Sequence, residues 1–337
     1  MIIGIPRSLF FYYFFPFWSG FFSALSLEYR VTPETTNPIM EAGATLCADE
    51  ICLPVKLHFG HLQYLQEQEG VDLLFSPGFG RWGRRSHFCP KLIGLPDLVG
   101  LQFTQTAVFR HELDAAGRFA KEPWLGTIRE IMPTVNKRVF TQAWKEGERR
   151  QAAFFELCRK GYLPPKAIEY LCGEKDSVEI GPALLNLGKK GKGVPRILVL
   201  GHPYMVYDNL AGQGLLQTLV HDGVQVFTKE MTPAGEVDKY WPTQEKRVFW
   251  TLGQQILSAA YYFVNKRLID GIIFHTACLC GPDALIGDLL EKYLAREEKA
   301  PALLKLTVDE HTGYAGLQTR VEAFLDLLKW RRQYAAV

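Results

Sequence analysis

At 337 residues the chain has room for two domains or one large one, and 47% hydrophobic content is enough for a substantial core. Lys and Arg number 38 against 36 Asp and Glu, a formal charge of +2, which leaves no basic footprint for a nucleic-acid partner. Seven cysteines is an odd count for a secreted disulfide framework, so the expected location is a reducing cytoplasm.

Met1-Ile2-Ile3-Gly4-Ile5-Pro6-Arg7 reads as a buried strand, Ile2 to Ile5, ending in a loop. From Leu9 to Leu27 no residue is charged, which approaches the length of a membrane span. Pro16 interrupts the run, and aromatics stand where a lipid-facing helix carries Leu and Ile, so a buried helix over Phe17 to Leu25 is expected and no membrane association. No basic region precedes the run, which makes it a poor signal peptide. Tyr29 to Thr32 reads as a second strand, Asn37 to Leu46 and Val55 to Gln68 as helices, and Val71 to Ser76 as a third strand. His111 to Asn186 is charged, aromatic and helical in pattern. Gly188 to Arg196, G-K-K-G-K-G-V-P-R, is a basic linker. It lacks the terminal K-[ST] of a phosphate loop and the strand that precedes one.

The second half alternates strand and helix more cleanly. Val194 to Gly201, Gln225 to Thr228, Gly271 to His275 and Ala302 to Val308 read as strands. Leu210 to His221, Glu245 to Lys266, Asp283 to Leu294 and Leu317 to Trp330 read as helices. The pattern predicts an α/β protein of two doubly wound parallel-sheet domains facing across a cleft. The expected divisions are 1–110 and 188–337 for the α/β domains, with 111–187 as a helical connector.

The unusual polar strings follow predicted strands, where open parallel sheets bind ligands. Three cysteines stand in chain-breaking contexts far apart in the chain: Cys52 in E-I-C-L-P-V-K, Cys89 in F-C-P-K and Cys280 in C-G-P-D. Core cysteines usually sit inside regular elements, so these three are the expected metal ligands, converging from distant loops. Residue chemistry alone leaves iron–sulfur and zinc even, with His58, His61 and His87 close enough in sequence to complete a zinc site. Cys278 and Cys47 are candidate further ligands. If the strand continued through Cys278, that residue and Cys280 would share a face. Lys56 and Lys91 would bring positive charge to the site, and Gly281 would let the chain approach a cluster closely. His311 and Glu310 in D-E-H-T-G, and His202 in G-H-P-Y, are weak catalytic candidates by position and by histidine's titration range. Arg7 occupies a strand-end position equivalent to that of His202. Arg320 is expected to ion-pair with an acidic neighbour.

Taken together, I-G-I-P-R-S-L-F-F-Y-Y, D-E-I-C-L-P-V-K-L-H-F-G-H, C-P-K-L-I-G-L-P-D, G-H-P-Y-M-V-Y-D, C-G-P-D and D-E-H-T-G-Y-A-G-L-Q-T-R-V-E-A-F resemble the 2-hydroxyacyl-CoA dehydratase family, in its acyl-CoA dehydratase activase-related branch. The resemblance implies two doubly wound domains and an iron–sulfur cluster on Cys52, Cys89 and Cys280. That cluster would be [4Fe-4S] with one open iron, or the double-cubane [8Fe-9S] form of some relatives. It also implies a partner, a separate ATP-hydrolysing iron–sulfur activator, with this chain as the electron acceptor in a reductase or dehydratase system. A fourth ligand at Cys278 or Cys47 would close the cluster and make the chain a non-catalytic electron carrier or scaffold. A zinc-stabilised binding module is the third reading. A homodimer is the default assembly.

Overall fold

The computed structural model describes residues 1–80, 87–109, 112–113, 121–173, 194–236 and 248–334. Most of the basic linker, residues 188–193, and residues 245–247 of the expected long helix lie outside that set. The chain divides into two compact units. The first comprises Met1–Phe154, Ile168–Asp176 and Val248–Thr251, and the second Phe155–Ala167, Ser177–Arg247 and Leu252–Val337.

The first unit opens with β1 (Ile2–Ile5), α1 (Phe11–Ala24), β2 (Glu28–Val31), α2 (Asn37–Leu46), α3 (Leu53–Gln68) and β3 (Leu73–Phe75). There follow β4 (Gly78–Phe79), α4 (Pro90–Ile93), α5 (Leu95–Gln102), β5 (Ala107–Phe109), β6 (Glu112–Leu113), α6 (Lys121–Ile131), α7 (Lys137–Arg159) and α8 (Pro164–Cys172). Four strands make one parallel sheet in the order β2-β1-β3-β5, and β4 pairs with β6 beside it. In the sheet Ile3 stands between Tyr29 and Leu73.

α1 is the buried helix expected from its aromatic content, but it begins at Phe11, six residues before the expected start. Pro16 lies inside it and removes one backbone bond without ending it. Aromatic packing on several sides offsets that loss. Trp18 and Phe22 meet Phe75 of β3, with ring centroids 4.8 and 5.5 Å away. Phe21 packs on Trp124 at 5.4 Å and Phe17 on Trp144 at 5.0 Å, so α6 and α7 cover the helix. Among the described residues no helix is long and apolar enough to cross a membrane.

α2 and α3 pack backbone to backbone. A Cβ on Gly43 would stand 1.8 Å from the Lys56 carbonyl oxygen, and one on Gly60 would stand 1.9 Å from that of Ile39. Only glycine at both positions permits this approach.

The second unit contains β7 (Arg196–Gly201), α9 (Pro203–Val206), α10 (Leu215–His221), β8 (Gln225–Thr228), α11 (Thr251–Asn265), β9 (Gly271–Ala277), α12 (Gly281–Leu294), β10 (Ala302–Val308) and α13 (Tyr314–Tyr334). Its sheet is parallel in the order β8-β7-β9-β10, so both units place their first strand between the second and third. Every residue of β9 is buried, as a central strand covered on both faces requires. α10 starts five residues later than expected. The Asp208 carboxylate accepts from the Leu210 and Ala211 amides, and Gln213 and Gly214 adopt positive φ, so the chain turns before it coils.

Gly43→Ala should cost about 3 kcal/mol, because two helix backbones must separate. Gly316→Ala should be neutral or gain up to about 1 kcal/mol, since nothing lies within 4 Å of its added Cβ. Urea midpoints of the two variants compared with the parent check this.

Candidate functional site

In the first unit the Gly43–Gly60 contact holds the end of α2 against the start of α3, and the connecting turn carries two cysteines. Cys47 follows α2 in extended conformation, and Cys52 is the N-cap of α3 with Pro54 in the first turn. Cys89 is likewise the N-cap of α4, with Pro90 as its first residue. The chain-breaking prolines therefore start helices directly behind the sulfurs.

Both lysines bind the turn itself. Lys56 Nζ donates to the Asp49 carbonyl and Lys91 Nζ to the Glu50 carbonyl, each at 3.2 Å. Lys56 is only 2% exposed. Burial pushes the Cys47 thiol up to about 11, against the pull of Lys56. Burial also raises Cys52. Lys91 draws it down, the neighbouring Cys89 sulfur pushes it up, and the Val55 amide and its own amide draw it down. Cys47, Cys52, Cys89 and the two lysines thus form one electrostatic neighbourhood within this unit. A metal cation that took the place of the protons would relieve the burial penalty on the thiolates.

Beneath the sheet edge lies a buried polar chain that the sequence did not suggest. Ser8, after β1, is 2.8 Å from His58 Nδ1, and His58 Nε2 is 2.9 Å from Ser76 Oγ, after β3. One histidine of α3 so ties together the ends of two adjacent strands. His61 Nε2 is 2.9 Å from Thr35 Oγ1. Burial lowers both histidines to about 3, so they stay neutral. Both nitrogens of His58 are thus engaged with serines, and His87 stacks on Phe249 at 4.6 Å.

In the second unit the central strands β7 and β9 deliver a compact group. Gly201 lets β7 end against β9, where a Cβ would come within 2.4 Å of the His275 carbonyl oxygen. His202 follows as the N-cap of α9, and Cys280 is the N-cap of α12 with Pro282 in its first turn. His202 Nε2 lies 2.8 Å from Asp283 Oδ1, and Thr276 Oγ1 donates to Asp283 Oδ2 at 2.7 Å. Burial alone would raise the Asp283 pKa. The His202 charge outweighs it, together with hydrogen bonds from His202, Thr276 and Cys280, and the net shift is downward. Ligand atoms of His202, Cys280 and Asp283 all lie within 4.8 Å of one another, the one such group among the described residues. Asp283 and its grouping with His202 went unread in the sequence, since nothing in the linear order brings G-H-P-Y to C-G-P-D.

β9 ends at Ala277, and Cys278 and Leu279 form a turn with Leu279 at φ +63°. The two-residue strand period therefore does not relate Cys278 to Cys280. A Cβ on Gly281 would meet nothing within 4 Å, so open space lies on that side. In D-E-H-T-G, Asp309 Oδ1 accepts from the His311 amide and the Thr312 hydroxyl, which orders the loop, and His311 is exposed beside half-buried Glu310. Arg320 donates to the Lys305 carbonyl at 2.7 Å in place of the expected ion pair. The Arg7 guanidinium sits 5.4 Å from the Phe11 ring centre and 3.9 Å from Glu34. Cys158 is 1% exposed, and burial pushes its thiol well above the ordinary range, as for an inert core cysteine.

These features define a doubly wound α/β protein with cysteines at helix N-caps. The chain belongs to the family described as CoA enzyme activase uncharacterised domain (DUF2229), whose profile matches residues 2–232. That span includes Cys47, Cys52, Cys89 and His202 and stops short of Cys280. No curated protein matches the chain. Among solved structures, similarity extends to a glucosamine-6-phosphate deaminase from Thermotoga maritima, at 12% identity over 99% of this chain and 85% of that one, with a TM-score of 0.19. A second is the C-terminal domain of glucosamine-fructose-6-phosphate aminotransferase from Francisella tularensis, at 8% identity over 97% of this chain and 84% of that one, with a TM-score of 0.23.

Two measurements follow from the pKa shifts. His58 and His61 stay neutral when folded but protonate near pH 6.5 when unfolded, so stability falls as pH drops from about 6.5 towards 3. At pH 5 the loss should be about 2 kcal/mol for each histidine, read from urea midpoints at pH 7 and pH 5. In cluster-free protein, alkylation of Cys47 should rise about tenfold per pH unit up to pH ~10, and Lys91→Met should slow alkylation of Cys52. Mass-spectrometric labelling rates report both.

Proposed function

We propose that the chain is an iron–sulfur protein of the 2-hydroxyacyl-CoA dehydratase type, with Cys52, Cys89 and Cys280 as cluster ligands. The observation that carries this reading is positional: each of the three is the residue immediately before a helix, with proline in that helix's first turn. Amides at a helix start point towards the N-cap and favour negative charge there. A cluster with thiolate ligands is anionic, so the donor set and its setting suit one another. Membership of a family described as CoA enzyme activase domains supports a place in an acyl-CoA system.

When bound, the cluster would supply low-potential one-electron chemistry to a small substrate or an acyl-CoA, with electrons delivered by a separate ATP-hydrolysing iron–sulfur activator. The chain's own residues have narrower tasks. The three cysteines hold the metal. Lys91 favours the Cys52 thiolate and, through the Glu50 carbonyl, fixes the turn that presents it. Buried Lys56 does the same for the Cys47 side of the turn. Burial of Cys52 limits water at the sulfur, and hydrogen bonds and charge near cluster sulfurs set the potential.

Strictly anaerobic reconstitution tests the proposal. About four irons with matching acid-labile sulfide per chain is expected for one cubane, and about eight for the double form. Cys52→Ala, Cys89→Ala and Cys280→Ala should each lose the chromophore, while His311→Ala should keep it. Cys278→Ala should leave an open-site cluster unchanged. Colourless protein without sulfide would sink the reading.

A further inference from the structure

We propose that the second unit also carries a site for one divalent transition-metal ion of the zinc class, built from His202, Cys280 and Asp283. It goes beyond the iron–sulfur reading and does not rest on it. The three residues come from the ends of the adjacent strands β7 and β9, where the strand order of a doubly wound sheet reverses and ligands collect.

The geometry is that of a built site. The ligand atoms lie within 4.8 Å of one another. Around zinc, nitrogen, oxygen and sulfur ligands at their usual bond lengths stand roughly 3.3–3.6 Å apart, so small side-chain shifts complete the set. The His202 and Asp283 side chains are 7% and 1% exposed. Thr276 holds Asp283 Oδ2, which fixes the carboxylate with Oδ1 turned to His202. That oxygen is buried and lies 2.8 Å from His202 Nε2. His202 Nδ1 is buried with no hydrogen-bond partner among the described residues. A cation at this point would bind imidazole Nε2, carboxylate Oδ1 and thiolate together, in place of the protons that link them. A hydroxyl holding the far oxygen of a ligating carboxylate is the usual outer support of such a centre.

The donor set selects the ion. Sulfur and imidazole nitrogen disfavour magnesium and calcium and suit zinc, cobalt(II) or iron(II). Three protein ligands leave a fourth position, and the open space beside Gly281 leaves room for water or a small ligand there. The Cys280 sulfur cannot serve this ion and a cluster on the same molecule, so the divalent ion belongs to the cluster-free chain.

Cobalt(II) added anaerobically to full-length, cluster-free protein is the probe. One cobalt per chain with thiolate-to-cobalt charge-transfer absorption is expected. Cys280→Ser should abolish that absorption, His202→Ala should weaken binding at least tenfold, and Cys52→Ser and Cys89→Ser should leave it unchanged. Serine is a good N-cap, so Cys280→Ser keeps the helix start. Absorption that survives Cys280→Ser, unchanged affinity in His202→Ala, or loss in Cys52→Ser would overturn the site. Iron and sulfide reconstitution of His202→Ala separates the two readings. A cluster depends on Cys52 and Cys89, and the divalent ion on His202.

Discussion

Parallel strands cannot be joined by a tight turn, and that constraint organises this molecule. Each strand must return through a crossover, and the segments leaving β1, β2, β7, β9 and β10 are loops that lead into helices. In both units the second strand lies to one side of the first and the third strand to the other. The loops after the first and third strands therefore diverge and leave a place for polar residues between them. Ser8 and Ser76 occupy that place in the first unit, and His202 and Cys280 in the second.

The two units fill the same topological position differently. In the first, the position is closed by a neutral histidine from α3 that bonds both strand ends, and it functions as a clamp. Its cysteines are pushed outward to the α2–α3 turn and the start of α4. Among the described residues of the second unit no histidine bridges β7 and β9 in that way. Instead His275, one position before Thr276, bonds the Ala211 carbonyl, and the edge holds His202, Cys280 and Asp283. A common sheet order thus yields a structural tie in one case and a group of ligating atoms in the other. The difference lies in which side chains meet at the switch point.

The energetics of the cysteine-bearing turn rest on a steric condition more than on charge. The two lysines bond carbonyls of the turn at 3.2 Å, and such contacts are modest. The Gly43–Gly60 approach permits no side chain at either position. It brings the end of one helix within a short turn of the start of the next, and this sets the separation of Cys47 from Cys52. Burial then raises both thiols, so the arrangement stores an electrostatic cost that a bound cation would relieve.

The strand and helix pattern was legible in the chain because it is local. Asn37–Leu46, Gln225–Thr228 and Ala302–Val308 begin and end where hydrophobic period and turn residues put them. The cysteines in Cys-Pro and Cys-x-Pro contexts were legible for the same reason, since proline marks a helix start and so makes the preceding residue a cap. Boundaries moved where a distant contact overrode the local signal. α1 runs through Pro16 because aromatic rings from β3, α6 and α7 pack along it, and β9 runs two residues past its expected end at His275 because Thr276 and Ala277 pair with Thr307 and Val308 of β10. The sequence by itself determined the alternation of strands and helices and which residues could be ligands. Only the tertiary structure decided that Asp283 faces His202 and that His58 is spent on two serines. Those pairings join residues tens of positions apart, and no local period encodes which strand ends become neighbours.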